Sequence, residues 1–125
     1  MQADQRIHVD SAPHLLQIMQ KMVELLVETR QAYGIVSIDE PEFIQVMALE
    51  DGALRLESSS SHKVLAANIG FKELVADHEH IAAIDIPAEW PAKESIAAET
   101  LATLAVKVHG VVFPTVLEFE LDTVE

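Results

Sequence analysis

Histidine and acidic side chains are the groups of this sequence most able to do chemistry, and they come together at His78-Glu79-His80. On a strand, residues two apart point to the same side, so these two imidazoles could give two ligands to a metal ion. A third ligand is not evident, because His62 and His109 are far away in sequence and no H-E-x-x-H spacing occurs. We therefore predict no metal and no cofactor, with a small metal enzyme using His78 and His80 as one alternative.

A serine nucleophile is the second kind of chemistry that the sequence could offer. Ser58 to Ser61 run directly into His62, which places a base beside hydroxyls in the chain. Catalytic triads are assembled from distant segments, however, and no G-x-S-x-G turn is present. The four glycines also form no phosphate-binding loop. These patterns predict a protein that is not an enzyme.

The charge balance points to the kind of partner. The chain has 21 acidic and 8 basic residues, a formal net charge of −13. A field of this sign repels phosphate backbones and anionic lipid, so we expect neither nucleic acid nor membrane as a partner. Acidic pairs such as Glu118 and Glu120 are best interpreted as a solvated face. The expected partner is another protein.

Length and composition predict one packed domain. A chain of 125 residues, half of them hydrophobic, is long enough for a single core. We expect residues 1–10 to be a flexible, polar leader and residues 11–125 to form the domain. There is no cysteine, no secretory signal pattern and no apolar run of bilayer length, and a cytoplasmic location is predicted.

Two segments show helical spacing of apolar residues. The first helix is expected over about 12–33, with Ser11 as N-cap and Gly34 as its end. The second is expected from about Ala92 to His109, with Gly110 as its end.

Strand signals fill much of the remaining sequence. A hairpin is predicted from residues 43–50 and 53–57, since Asp51-Gly52 suits a type I′ turn. Residues 35–38 and the alternating segment after Pro114 read as further strands, and a short helix is expected near residues 64–67. The pattern over 72–87 fits a helix or a strand equally well.

Several local motifs are similar to those of the TY-Chap domains, actinobacterial proteins regarded as type III secretion chaperone-like. Phe43-Ile44-Gln45-Val46 resembles an aromatic-V-Q-F segment, and residues 51–57 resemble a D-G-L-x-x-E hairpin. Ile69-Gly70-Phe71 stands at the L-G-W position, and Glu89-Trp90-Pro91 resembles a W-P segment. Residues 103–111 and 113–119 are similar to T-L-R-E-V-Y-G-V and H-P-x-F-L-x-F. The resemblance covers about residues 13–121.

This resemblance implies an α+β fold, type III secretion chaperone-like, with an antiparallel β-sheet backed by an N-terminal and a C-terminal helix in the order α-β-β-β-α-β-β-α. Proteins of that kind are typically acidic, non-enzymatic and commonly dimeric, so a homodimer is a possible assembly. They hold an extended client segment against apolar patches. The family motifs identify no individual binding residue.

The residues themselves suggest where a partner could bind. The first hairpin arm is apolar on both faces, and methionine side chains adapt to more than one partner. We therefore predict a chaperone-like or adaptor module that holds a partner segment on its sheet and first helix. The predicted binding residues are Met19, Met22, Ile44, Val46 and Met47. The alternative is an acidic immunity or antitoxin-like inhibitor that associates by electrostatic steering.

Overall fold

A computed structural model describes residues 2–29, 31–39, 42–76 and 79–123 of the chain. The described residues form seven strands, three helices and one π-helical turn. In chain order these are β1 Gln2–Val9, α1 Ala12–Thr29, β2 Gln31–Asp39, β3 Glu42–Ala48, β4 Leu54–Ser58, α2 Ser61–Ala66, β5 Lys72–Ala76, β6 Glu79–Ile86, α3 Lys93–Thr103, the π-turn Leu104–Val108 and β7 Thr115–Thr123.

The strands build one antiparallel sheet in the order β1-β7-β2-β3-β4-β6-β5. The helices α1 and α3 pack against each other and against strands β2 to β4, while α2 lies against β5 and β6. The fold is therefore α+β, and the predicted antiparallel sheet backed by helices is confirmed at this level. The core extends onto β1 and β7 through Val9, Leu117 and Phe119, whereas Ile7 and Leu121 at the same end of the sheet are only partly buried.

The core lies between the sheet and the helices. Alternate residues of each strand face the helices and are buried, as the pattern BiBiB along β4 illustrates. On α1 the buried residues recur at three- and four-residue intervals, which sets one stripe of the helix against the sheet. The fully buried large side chains are Leu15, Met19, Leu26, Ile44, Leu54, Leu56, Leu101, Leu104, Val9, Val23, Val36 and Val46.

The predicted flexible leader over residues 1–10 is wrong for the described part of that segment. Residues 2–9 form β1, an edge strand that pairs with β7 from Gln2↔Asp122 to Val9↔Thr115. Edge strands expose one face and one side to water, so a polar sequence is compatible with them. The pairing extends the single domain to include the leader.

The predicted end of the first helix at Gly34 is also wrong. The helix α1 spans Ala12–Thr29, and Gly34 lies inside β2 opposite Val46 and Leu121. A Cβ atom at Gly34 would lie 3.1 Å from Sδ of Met22 and 3.2 Å from Cδ2 of Leu121. Glycine at this position lets the helix approach the strand closely. The predicted N-cap is confirmed, since the Ser11 hydroxyl accepts a hydrogen bond from the His14 amide (3.3 Å).

The predicted hairpin exists as β3 and β4, but its turn is not type I′. Only Gly52 of the turn has a positive φ (89°), whereas a type I′ turn needs a second residue with positive φ. The Gly52 amide donates to the Leu49 carbonyl, and Asp51 Oδ1 accepts from the Ala53 amide at 2.9 Å. The segment over 72–87, which the sequence left between helix and strand, forms β5 and β6 in its described part.

The second predicted helix is confirmed, with a local change at its end. α3 continues into the π-turn Leu104–Val108, in which the His109 amide donates to the Leu104 carbonyl. Gly110 has a positive φ (71°) and ends the segment, as the sequence predicted. The π-turn fixes the position of His109, which is central to a buried cluster described below.

Candidate functional site

Most of the predicted binding residues belong to the core. Met19, Ile44 and Val46 are fully buried, and Met22 is 5% exposed. Ile44 and Val46 point from β3 toward the helices, while Met47, one residue further, points to the opposite face of the sheet. Four of the five predicted binding residues are therefore buried where α1 packs against the sheet, and Met47 is half-buried on the outward face.

A groove of about 470 Å³ lies beside α1, on the helix-bearing face of the sheet. Its floor is made by residues of β1 and β7, and one wall is made by α1. Phe119 in this floor is only 6% exposed, so part of the floor is already covered, while Ile7 and Leu121 are half-buried. Met22 is the one predicted binding residue that lines it. The complete lining is Gln5, Ile7, His14, Gln17, Ile18, Lys21, Met22, Leu25, Phe119 and Leu121.

The periodicity of α1 explains this wall. One stripe of the helix, which includes Met19 and Leu26, faces the core, and the stripe one step around contains Ile18 and Leu25. Leu25 is 36% exposed, although such a side chain is usually buried. The apolar surface of α1 is thus wider than the sheet area beneath it, and the excess borders the groove.

The charges of the groove differ from those of the whole chain. None of its ten lining residues is acidic, whereas the sequence has 21 acidic residues against 8 basic ones. Lys21 is exposed at the rim, and His14 lies at the start of α1 near Asp10, with 3.8 Å between Nδ1 and Oδ2. The groove is therefore an apolar surface with amide side chains, a histidine and one lysine around it.

The outward face of the sheet is more strongly charged. Arg55 and Asp85 form a two-point ion pair across it, with Nε–Oδ1 at 2.7 Å and Nη2–Oδ2 at 3.0 Å. This hydrogen bonding lowers the pKa of the Asp85 carboxyl, while burial raises the pKa of neighbouring Glu57. Met47 sits beside Arg55 on this face. Polar side chains therefore interrupt its apolar residues.

A polar cluster around the buried side chain of His109 connects three distant segments of the chain. His109 has a fully buried side chain, and its Nε2 lies 2.8 Å from the Ser58 Oγ. Its Nδ1 lies 3.2 Å from Oε2 of Glu42, whose other oxygen accepts a hydrogen bond from the Ser60 hydroxyl (2.7 Å). Lys63 Nζ is 3.5 Å from the same carboxylate. The cluster ties β3, β4, α2 and the π-turn together.

The atoms of Ser58, His109 and Glu42 follow the order of a serine–histidine–acid triad. Ser58 is nevertheless fully buried, so a substrate carbonyl has no approach to its hydroxyl in this arrangement. The Ser58 hydroxyl also lies 2.9 Å from the Ser59 carbonyl. Its one proton can be donated either to that carbonyl or to Nε2 of His109. When that proton goes to Nε2, Nδ1 carries the ring N–H and donates it to Glu42, so both imidazole nitrogens have a partner, which suits a structural role.

Sequence reasoning connected the serine run with the wrong histidine. His62 is exposed on α2, whereas the histidine that meets Ser58 is His109, 51 residues further along the chain. The serines have separate tasks: Ser59 exchanges hydrogen bonds with the Phe43 backbone, and Ser61 donates to Glu73. The one sequence signal for this cluster is His109 itself, which stands directly before the Gly110 that ends the second predicted helix.

Glu42 gives the cluster a dependence on pH. The hydrogen bonds from Ser60 and His109 lower the pKa of its carboxyl from about 4.5 to about 2. A group with a lowered folded-state pKa stabilises the fold above its unfolded pKa, and this stabilisation is lost as the pH falls. We expect the contribution of Glu42 to be complete above about pH 4.5 and to decline toward about pH 2.

The variant Glu42→Gln tests this expectation. At pH 7 it should unfold about 1–2 kcal/mol more easily than the wild type, because hydrogen bonds to a charged group are lost. The difference should shrink as the pH falls toward 3, as measured by urea denaturation across the pH range. Glu89→Gln, at an exposed position, is the control and should change little. A difference that stays constant from pH 7 to 3 would contradict the assignment.

The predicted histidine pair is only partly within the described residues. His78 lies outside them, and His80 is an exposed residue of β6 with Nδ1 3.5 Å from Oε1 of Glu73. Within residues 2–29, 31–39, 42–76 and 79–123, no group of three or more histidine, aspartate or glutamate side chains could hold a metal ion.

Comparisons with known proteins leave the site to be judged on its geometry. No protein-family model matches the sequence, and no curated protein or solved structure is significantly similar to it. In the part of the chain that the structure describes, no helix has the length and apolar character to cross a bilayer.

Proposed function

We propose that this chain is a non-catalytic protein-binding module, chaperone-like or adaptor, that holds a segment of a partner protein in the groove beside α1. The observation that carries the proposal is the apolar surface that Ile7, Leu25 and Leu121 leave in water where α1 meets the β1 end of the sheet. Elsewhere the helix-bearing face of the sheet is covered by α1, α2 and α3. The proposed fold type is the chaperone-like one that the sequence motifs resemble.

The groove supports partner binding better than the residues expected from the sequence. Ile18, Leu25 and Leu121 border it and keep part of their surface in water, so covering them would release free energy. Burial of apolar area at the centre of an interface, with a polar rim, is typical of protein docking sites. Gln17 and Lys21 would belong to that rim.

A crosslinking experiment with a matched pair of variants tests the proposal. A photoreactive amino acid at Gln17 should crosslink a partner protein in cells that express the chain naturally. Leu25→Asp should reduce that crosslink at least tenfold, since it places a charge at the apolar centre of the groove. Leu65→Asp is the control, because Leu65 is 38% exposed on α2, close to the 36% of Leu25.

Two outcomes would count against the proposal. Equal crosslinking by the Leu25→Asp and Leu65→Asp variants, both folded by circular dichroism, would show that the groove is not the binding site. A partner whose association rate falls steeply between low and physiological salt would instead favour the charge-steered inhibitor. A partner held by apolar burial should associate at rates that depend weakly on salt.

A further inference from the structure

The backbone of β1 has no strand partner on one of its two sides within the described residues. β1 stands at the end of the strand order β1-β7-β2-β3-β4-β6-β5, so its N–H and C=O groups that point away from β7 face the outside of the sheet. The pairing of β1 with β7 runs from Gln2 to Val9 without a register shift. β1 is therefore a long and regular edge strand, to which a further strand could be added by backbone pairing.

The opposite edge of the sheet is less suited to such pairing. β5 has five residues, and its first two, Lys72 and Glu73, are exposed and charged. Short edge strands with charged side chains are common devices by which proteins prevent edge-to-edge association. β1 has eight residues and no such shortening. The two edges therefore differ, and β1 is the one that is open to a further strand.

The order of charges along β1 makes this strand complementary to a copy of itself. Asp4 and Arg6 stand on either side of Gln5 in the strand. In an antiparallel pair of two β1 strands centred on Gln5, Arg6 of each copy lies opposite Asp4 of the other copy. Opposite charges at directly opposed positions stabilise antiparallel strands. The pair of charges occurs twice, because a two-fold axis repeats every contact.

The neighbouring registers do not have this complementarity. A pair centred on Arg6 places the two arginines opposite each other, and a pair centred on Asp4 opposes two acidic residues. A pair centred on Ile7 sets Arg6 against His8 and aligns only residues 5–9 of each strand, whereas the Gln5 register aligns residues 2–8. Like charges at opposed positions are destabilising. The charges of β1 therefore select the register centred on Gln5.

We propose that two copies of this chain associate through β1, as an antiparallel two-fold pair centred on Gln5 that joins their sheets into one. The pairing does not depend on the proposed partner binding. It brings the grooves of the two copies next to each other, since Gln5 and Ile7 of each copy line a groove on the helix-bearing side of the sheet. The net charge of −13 opposes association, so the dimer forms at physiological rather than low ionic strength, where salt screens the repulsion.

Cysteine variants test the register, because the natural chain has no cysteine. In the proposed pair Gln5 lies opposite its own copy, with Cα atoms about 4.5–5.5 Å apart, which is within disulfide range. His8→Cys is the control at another exposed position of β1, since its two copies would lie about 20 Å apart. After mild oxidation of the full chain, Gln5→Cys should give at least roughly five times more disulfide-linked dimer than His8→Cys on non-reducing gels.

Charge reversals test the complementarity in solution. Sedimentation at about 150 mM salt should show a dimer for the natural chain, and Arg6→Glu and Asp4→Arg should each raise its dissociation constant about tenfold, because like charges then oppose each other. An equal mixture of these two variants should restore the dimer, since each strand then meets opposite charges on the other. Lys72→Glu, the same charge change on the β5 edge, should leave the dimer unchanged. Circular dichroism checks that each variant is folded.

Several results would overturn the proposed pair. They are a natural chain that sediments as a monomer at about 1 mM, equal disulfide linking of Gln5→Cys and His8→Cys, and a mixture of the two charge variants that stays monomeric. None of these results bears on the proposed partner binding. That function is decided separately, by the crosslink at Gln17 and its loss in Leu25→Asp.

Discussion

Val46→Asp is expected to prevent folding, whereas Met47→Asp should change the free energy of unfolding by about 1 kcal/mol or less. Val46 is fully buried between Gly34 and Leu56, so aspartate there would place an unpaired charge in the core. That costs several kcal/mol, a large part of the stability of a domain of this size. Met47 lies on the outward face beside Arg55, where a carboxylate has both water and a cation.

Circular dichroism and urea denaturation would measure the difference between these neighbouring variants. Val46→Ala separates the cost of lost packing, about 2 kcal/mol, from the cost of the charge. A Met47→Asp variant less stable than the Val46→Asp variant would mean that β3 presents the other set of residues to the core, since a shift of one residue exchanges the faces of a strand.

The second large effect is expected at His109. His109→Ala should destabilise the fold by about 2–4 kcal/mol, because it leaves a cavity and removes the partners of Ser58 and Glu42. His62→Ala, on the exposed surface of α2, is the control and should stay within about 0.5 kcal/mol of the wild type.

His109→Gln helps to assign the cause of that loss. Its amide can make some of the hydrogen bonds of the imidazole, so it should recover part of the stability that His109→Ala loses. Urea denaturation at pH 7 measures all three variants. A His109→Ala variant as stable as the wild type would show that the cluster does not hold β3, β4 and the π-turn together.

The elements with strong periodicity could be predicted from the sequence. Three features follow from patterns that each favour a single structure. They are the apolar stripe of α1, the second helix with its end at Gly110, and the alternation of β7. β1 could not be predicted in the same way, because an edge strand is half solvated and its polar residues look like a loop. The role of Gly34 could not be predicted, because the sequence alone does not distinguish a glycine that permits close packing from one that ends a helix.

The candidate site was less accessible to sequence reasoning than the fold. A strand such as β3, apolar on both sides, does not show which face the helices will cover, so Ile44 and Val46 were placed on a surface although they are in the core. The groove depends on where α1 lies relative to β1 and β7, which are more than 100 residues apart in the chain. Only that packing makes groove-lining residues of Ile18, Leu25 and Lys21.

The π-turn at the end of α3 has a consequence for changes in chain length. A π-turn holds one more residue than an α-helical turn, and each helical residue advances the direction of its side chain by about 100°. Removing one residue between Thr103 and His109 would convert the π-turn into an α-helical one, and because the π-turn takes up its extra residue locally, the imidazole would keep roughly its direction toward Glu42. An added residue would have no such turn to take it up, so this stretch should accept a one-residue deletion better than a one-residue insertion.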